Sequence, residues 1–495
     1  MLFTTGAFLL AFLPITLAVY FLLGRRSHAA AAAWLLLASL FFYGHWMPAL
    51  TLLLVASMVV NFWAGGRIVG ALQAHNRARA KTWLTLGIVF NLGLLGYYKY
   101  ANFFVDNLNA VLGFEWQLGR ILLPIGISFY SFTQIAFLVD SYEGKVREVN
   151  PVHYGLFVTY FPHLIAGPVL HHSQMMPQFA DPAIYRPRGE NIAAGLAMLT
   201  IGLFKKVVLA DGIAPYADAV FSPGASAAML TPGEAWLGAT AYTLQLYFDF
   251  SGYSDMAVGL SLLFNVRLPF NFNSPYQARN ISDFWRRWHI SLSNFMRDYL
   301  YIPLGGNRGG PVRRYLNLAT TMVLGGLWHG ASWSFVVWGA LHGAYLMINH
   351  GFRAVLGEAR RTRWEASHIY GGASWALTLG AVVVAWVFFR AETLSGAMQI
   401  IHAMFSWPGA AQQAPAHFWN QGLHLQAGAI WCLALGLAAL FAPNSNRIVQ
   451  WLSDRFVQPT ALRSATTGAA LTLVAMLLVV NVTRSTVSAF IYFNF

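Results

Sequence analysis

Gly325-Gly326-Leu327-Trp328-His329-Gly330 lies inside residues 315–352, a stretch without a single Lys, Arg, Asp or Glu. At about 1.5 Å rise per residue, a helix running on from Arg314 carries the His329 imidazole roughly 20 Å along its axis, near the middle of a bilayer's hydrocarbon layer. A titratable group at that depth is costly unless it has a task or a partner. The stretch therefore points to a membrane-embedded chain and makes His329 its first candidate for chemistry. The structural alternative is a core histidine bonded to a backbone carbonyl.

The rest of the chain agrees about the membrane. It is 57% hydrophobic and 10% charged, whereas a soluble domain is about a quarter charged. Apolar runs near 6–24, 29–43, 49–64, 83–98, 121–139, 153–171, 191–210, 235–264, 316–349, 372–389, 424–442 and 465–482 predict an all-α polytopic protein with about eleven or twelve crossings. Pro124-Ile125-Gly126, Pro162, Gly167-Pro168 and Gly325-Gly326 mark runs expected to bend, break or lie re-entrant or interfacial, as backbone buried in protein allows. No period of 20–50 residues divides the sequence. It reads as one integral-membrane domain, 1–495, with N-terminal helices over 1–120, a central core over 121–350 and C-terminal helices over 351–495.

The first apolar run is followed by Arg25-Arg26, which reads as a retained anchor with an extracytoplasmic amino terminus. Arg67, Arg77, Arg79 and Lys81, then Lys145 and Arg147, fall on the cytoplasmic side under the same rule. The lone cysteine, Cys432, excludes an intramolecular disulfide and cysteine-cluster metal sites. The pair His171-His172 has no histidine four residues away, so no metal site is expected there either.

The net charge of +13 is mostly topological, with one exception. Between Asn273 and Tyr315 stand Arg279, Arg286, Arg287, Arg297, Arg308, Arg313 and Arg314 against Asp283 and Asp298, a balance of +5. Arginine throughout suits bidentate recognition of phosphate or carboxylate, or a patch that meets anionic lipid heads. Nucleic acid is not expected, because the segment is flanked by spans and carries no binding motif. Gly305-Gly306-Asn307-Arg308-Gly309-Gly310 is a turn that could expose amides to phosphate, although it lacks the lysine of a nucleotide loop. Ser282 and Asp283 read as a helix start. The acids Asp249 and Asp255, inside an apolar run, are expected to pair with arginines of 279–314. His342, thirteen residues beyond His329 and on another helix face, reads as structural.

Ser282-Asp283-Phe284-Trp285-Arg286-Arg287-Trp288-His289-Ile290-Ser291-Leu292-Ser293, the following Arg297-Asp298-Tyr299-Leu300-Tyr301-Ile302-Pro303-Leu304-Gly305-Gly306-Asn307, and Trp328-His329-Gly330 together resemble the membrane-bound O-acyltransferase superfamily. Phe248-Asp249-Phe250-Ser251-Gly252-Tyr253-Ser254-Asp255 and Phe161-Pro162-His163-Leu164-Ile165-Ala166-Gly167-Pro168 add to the likeness, which spans residues 123–343. Within the superfamily the chain is similar to the bacterial polysaccharide branch, typified by the alginate O-acetyltransferase membrane subunit.

This resemblance implies a multi-pass core with a central tunnel, in the inner membrane of a bacterium. It implies an acetyl group carried from a cytoplasmic thioester, acetyl-CoA or a related donor, toward an exported polysaccharide such as alginate or cellulose. A periplasmic acetyltransferase partner of the SGNH type would receive it. The two family histidines fall on His329 and His289. Imidazole chemistry suits them, since esterifying a hydroxyl needs a base of near-neutral pKa. His329 is expected as general base, with His289 orienting it, sharing the proton or polarising the thioester carbonyl. His289 could instead belong to an interfacial aromatic belt with snorkelling arginines. Arg286, Arg287, Arg297, Asn307 and Arg308 are the expected contacts of the donor's phosphates. No tightly bound cofactor and no metal are expected. The absence of Gly-x-Ser-x-Gly argues against a covalent acyl-enzyme. Alternatives are D-alanyl transfer to teichoic acid, peptidoglycan O-acetylation and, outside enzymes, a transporter or flippase, which would show duplicated halves.

Overall fold

Helix is the secondary structure that satisfies every backbone amide within its own segment, and the apolar runs adopt it throughout. A computed structural model describes residues 1–119, 121–146, 150–164, 167–222, 230–406, 417–455, 461–482 and 490–491. No strand occurs among the described residues. Arg147, Ile165 and Ala166 lie outside them, as do residues 407–416. By length and composition, five helices among the described residues can cross a membrane: Ala7–Gly24, Pro48–Gln73, Gly189–Phe221, His368–Arg390 and Ser464–Asn481. Leu425–Phe441 with Ser445–Leu452, bent by 50°, makes a sixth at most.

That is fewer than the eleven or twelve runs counted in the sequence, because some runs form helices that are shorter, such as His28–Gly44, or less apolar, such as Pro232–Leu263, and others are broken. Residues 153–171 hold two short helices, Pro151–Thr159 and Phe161–Leu164. The uncharged stretch around His329 is divided at Gly330.

The chain forms two compact units interleaved in sequence, one of Met1–Leu203, Tyr253–Pro269 and Val449–Ala489, the other of Phe204–Gly252, Phe270–Ile448 and Phe490–Phe495. In the first, α1 (Pro48–Gln73), α2 (Arg77–Leu95) and α3 (Ile127–Tyr142) pack together. Gly65 and Gly87 leave room for Phe137 and Leu138, whose side chains would otherwise meet a Cβ at 2.5 Å. Buried polar side chains tie the same helices. Gln134 Nε2 donates to Ser57 Oγ at 3.1 Å, and the Asn61 and Asn91 amides donate to each other at 3.2 and 2.6 Å. Small residues and interhelical hydrogen bonds are how apolar helices associate when lipid offers no hydrophobic contrast.

The second unit holds the motif-rich segment. After α4 (Pro232–Leu263), which runs from this unit's residues into the other's, come two short helices, α5 (Ile281–Arg287) and α6 (Ile290–Met296). Then follow α7 (Gly310–His329), α8 (Trp333–Glu365) and α9 (His368–Arg390). Helices α7 and α8 form a hairpin whose seam is made of glycine. A Cβ on Gly326 would stand 2.2 Å from the Phe335 carbonyl oxygen, and one on Gly339 would stand 2.4 Å from that of Met322. The two backbones touch there, so the position of the α7 carboxyl end is set by main chain rather than by deformable side chains.

Candidate active site

His329 is the last residue of α7. The helix stops because Gly330 is extended, and Gly330 must lack a side chain because the Phe335 ring fills the space a Cβ would take, 2.1 Å away. The imidazole is 6% exposed. Its ring packs edge-on against Trp328, Phe389 and Trp338, with centroids 4.9, 5.0 and 5.1 Å away. It opens onto a cavity of about 210 Å³ walled chiefly by apolar groups, among them Trp285, Leu292, Met296, Met322 and Leu346. Arg297 and Tyr301 supply its polar edge.

His289 occupies the joint between α5 and α6 in the left-handed region, φ 43° and ψ 54°. A non-glycine residue there stores local strain that its surroundings must hold. Asn271 does so. Its Oδ1 accepts from the Ser291 amide at 3.1 Å and the Ser291 hydroxyl at 2.7 Å, while its carbonyl accepts the Ile290 amide at 3.0 Å. An oxygen receiving two donors must be the acceptor for the third contact as well, so His289 Nδ1–H donates to it at 3.3 Å. That leaves His289 Nε2 as the lone-pair nitrogen, buried and without a hydrogen-bond partner among the described residues. The His289 ring meets Phe250 at 4.8 Å and Trp328 at 6.5 Å. Trp328 thus touches both imidazoles, although His289 does not line the His329 cavity.

The expected donor residues divide among three places. Arg286 and Arg287 line a second, polar cavity of about 700 Å³, together with Arg279 and Arg353 and the carboxylates Asp283 and Glu365. Arg287 Nε is held by both oxygens of Asp283 at 3.0 Å. Arg297 belongs to the His329 cavity and is bound to Asp298 at 2.7 and 3.0 Å, which raises its pKa above the ordinary guanidinium value. Asn307 and Arg308, both exposed, line neither cavity. Asn307 is nevertheless linked to the first, because Tyr301 OH donates to its Oδ1 at 2.7 Å. The glycines around them have φ between +56° and +116°, which identifies a turn.

Two local expectations need correction. Asn280, rather than Ser282 or Asp283, caps α5, accepting the Asp283 amide at 2.9 Å. Asp249 pairs with a lysine instead of an arginine: Lys206 Nζ lies 2.6 Å from Asp249 and 2.8 Å from Asp211, with all three side chains buried. Lys206 lies on a π-helical turn, Lys205–Ala210, that brings its ammonium to Asp249, whereas Arg286 and Arg287 of α5 line the polar cavity. Lys206 carried no signal in the sequence beyond being polar within an apolar run, and Asn271 none beyond standing in the polar segment after one.

The chain matches the membrane-bound O-acyltransferase family over residues 113–389. It is 42% identical over 438 residues to a peptidoglycan O-acetyltransferase of Helicobacter pylori, covering 83% of this chain and 81% of that one. It is 46% identical over 413 residues to a probable alginate O-acetylase of Pseudomonas aeruginosa, covering 82% of this chain and 75% of that one. A teichoic acid D-alanyltransferase of Bacillus subtilis matches at 26% over 236 residues, 46% of this chain and 59% of the other. The chain therefore belongs to the membrane-bound O-acyltransferase family. It is a multi-pass membrane enzyme and an acyltransferase, which removes the transporter alternative.

Proposed function

We propose that this enzyme moves an acetyl group from a cytoplasmic thioester, acetyl-CoA or a related donor, to a hydroxyl on the way to an exported polysaccharide, with His329 as general base. The observation that carries this reading is the opening of His329 onto the apolar cavity, in a chain 42–46% identical to proteins named for O-acetylation and only 26% identical to a D-alanyltransferase. The acceptor hydroxyl attacks the thioester carbonyl while the neutral imidazole takes its proton. The carbon–sulfur bond then breaks as the new ester forms, and the imidazolium returns the proton to the departing thiolate. His289, with its lone pair on Nε2 and its ring against Trp328, shares or orients that proton.

The polar cavity, with four arginines against two carboxylates, suits the phosphates of the donor. The positive-inside pattern favours an extracytoplasmic amino terminus. The acceptor polymer, alginate or cellulose on one hand and peptidoglycan on the other, is reached through a periplasmic partner that receives acetyl, in a bacterial inner membrane.

The test is purified enzyme in nanodiscs with acetyl-CoA. His329→Ala is expected to fold, insert and bind CoA while losing at least about 10²-fold in transfer, the contribution of a positioned base. Normal acetylation by that variant would end the assignment. Replacing Arg286 and Arg287 together should weaken a CoA analogue and leave acceptor affinity unchanged; equal CoA affinity would remove them from the donor site.

A further inference from the structure

One helix of the first unit, Ala101–Leu112, has no buried residue, and its substantial neighbour among the described elements is the π-helical turn Gly96–Tyr100 that precedes it. At about 100° per residue Phe104, Leu108, Val111 and Leu112 share one stripe, while Asn102 and Asp106 lie across the helix. All four stripe residues are exposed, Val111 by 81%. A helix of about twelve residues is marginal in water and is held in proteins by burial of its apolar face. The stripe therefore meets something outside the described residues.

The turn behind the helix extends the same apolar surface. Gly113 ends the helix in the left-handed region, φ 70°. Asn109 then holds Trp116 by both main-chain groups: its Nδ2 donates to the Trp116 carbonyl at 2.8 Å, and the Trp116 amide donates to its Oδ1 at 3.1 Å. The Trp116 ring stacks on that of Phe114 with centroids 4.6 Å apart, and both rings stay exposed, as does Leu118.

Position and charge identify the partner. Helix α1 is long and apolar enough to cross a membrane, and α2 packs along it after a short turn, with Asn61 meeting Asn91 across the pair. Ten residues further along each strand of this hairpin, Thr51 stands level with Ala101, within one turn of the α1 start at Pro48. The exposed helix thus begins where the α1 span leaves the bilayer. Trp46 and Tyr97, exposed at that end of the pair, are the side chains of a membrane–water interface. From Lys99 to Arg120 two acids, Asp106 and Glu115, balance two bases. The segment has no excess positive charge with which to select anionic lipid.

We infer that Ala101–Leu112 and the turn 113–119 form a foot lying in the plane of a zwitterionic lipid surface. Phe104, Leu108, Val111 and Leu112 face the acyl chains, and Phe114 and Trp116 rest at head-group level. The foot fixes the depth of α2 in the bilayer, and with it the Asn61–Asn91 contact to α1.

The experiment puts a nitroxide on Val111→Cys or Asp106→Cys in the full-length Cys432→Ala enzyme, in nanodiscs of phosphatidylcholine. Collisions with oxygen, which dissolves in lipid, and with a nickel chelate, which stays in water, report the depth of each label. The Val111→Cys label should lie about 5–10 Å below the head groups, and the Asp106→Cys label roughly 10 Å nearer water, a helix diameter away. Adding phosphatidylglycerol should leave both depths unchanged. Two labels equally open to the nickel chelate overturn the proposal. So does a Val111→Cys label shielded from both probes, the result expected if a second copy of the chain or another protein covers the stripe. A depth gained only with phosphatidylglycerol overturns the zwitterionic assignment. Amide exchange supplies a measurement without labels: Phe104→Ser with Val111→Ser should speed exchange across 101–112 by at least about 10-fold, the weight of one buried apolar side chain, and leave α1 unchanged. Exchange as slow as in the wild type overturns the foot even if the labelled variants fail to fold.

Discussion

Adding one methyl group at Gly326 should displace His329 without touching it. The new Cβ would lie 2.2 Å from the Phe335 carbonyl oxygen, about 1.2 Å short of ordinary contact at 3.4 Å. The atom it meets is backbone, so relief must come from moving α7 relative to α8. Overpacking of this kind costs about 1–3 kcal/mol, and with rigid main chain on both sides the upper end applies. Helix propensity returns about 1 kcal/mol for glycine to alanine, leaving a net loss of about 2 kcal/mol and a fall in melting temperature of roughly 2 °C for a chain of this size. The larger effect is on catalysis, since His329 is three residues on and a misplacement of about 1 Å costs on the order of 10²-fold. Gly351→Ala on α8 is the control, because nothing lies within 4 Å of its Cβ; it should keep wild-type turnover and melt no lower. Thermal unfolding in detergent and acetyl transfer in nanodiscs measure both quantities. A Gly326→Ala enzyme with wild-type melting and turnover would refute the view that backbone contact positions the base.

Two further substitutions probe the supports of the site. Lys206→Met removes the ammonium between Asp249 and Asp211 and should cost about 3–5 kcal/mol, seen as a lower melting temperature and partly recovered by adding Asp249→Asn; unchanged melting would show that the pair is not holding the fold. Asn271→Ala takes away the acceptor that fixes the His289 tautomer and should lower kcat by roughly 10-fold with little change in KM, the worth of one lost buried hydrogen bond. Asn271→Asp, which keeps an oxygen for the same donors, should retain more activity, and equal losses in the two variants would count against tautomer control.

The class of fold was plain in the sequence because membrane residence is written in composition and run length, which need no tertiary knowledge. His329 was legible for the same reason, as an ionisable group in an uncharged stretch. The places where helices stop were harder to see. Gly330 ends α7 through the bulk of Phe335, a contact made only after the chain has turned back. Asn271 is invisible because its hydrogen bonds reach eighteen and twenty residues along the chain. The arginines looked like one patch in sequence, but α5 carries Arg286 and Arg287 to one cavity while the turn after α6 carries Arg297 to another. Lys206 sits some forty residues from Asp249, and nothing in the pattern of charges singled it out over the nearer arginines.

The contrast between the two cavities bears on a competing reaction. A thioester has two fates at a general base, attack by the acceptor hydroxyl or attack by water, and the same imidazole assists either. Around His329 most of the wall is apolar, with Trp285, Leu292, Met296, Leu318, Met322 and Leu346, and its polar groups, Ser293, Arg297, Tyr301 and Thr321, are few, whereas the arginine cavity is polar. Excluding water from the reacting end suppresses hydrolysis. Under the proposed reading, the yield of ester per thioester consumed depends on how well that apolar wall keeps water from the reacting carbon.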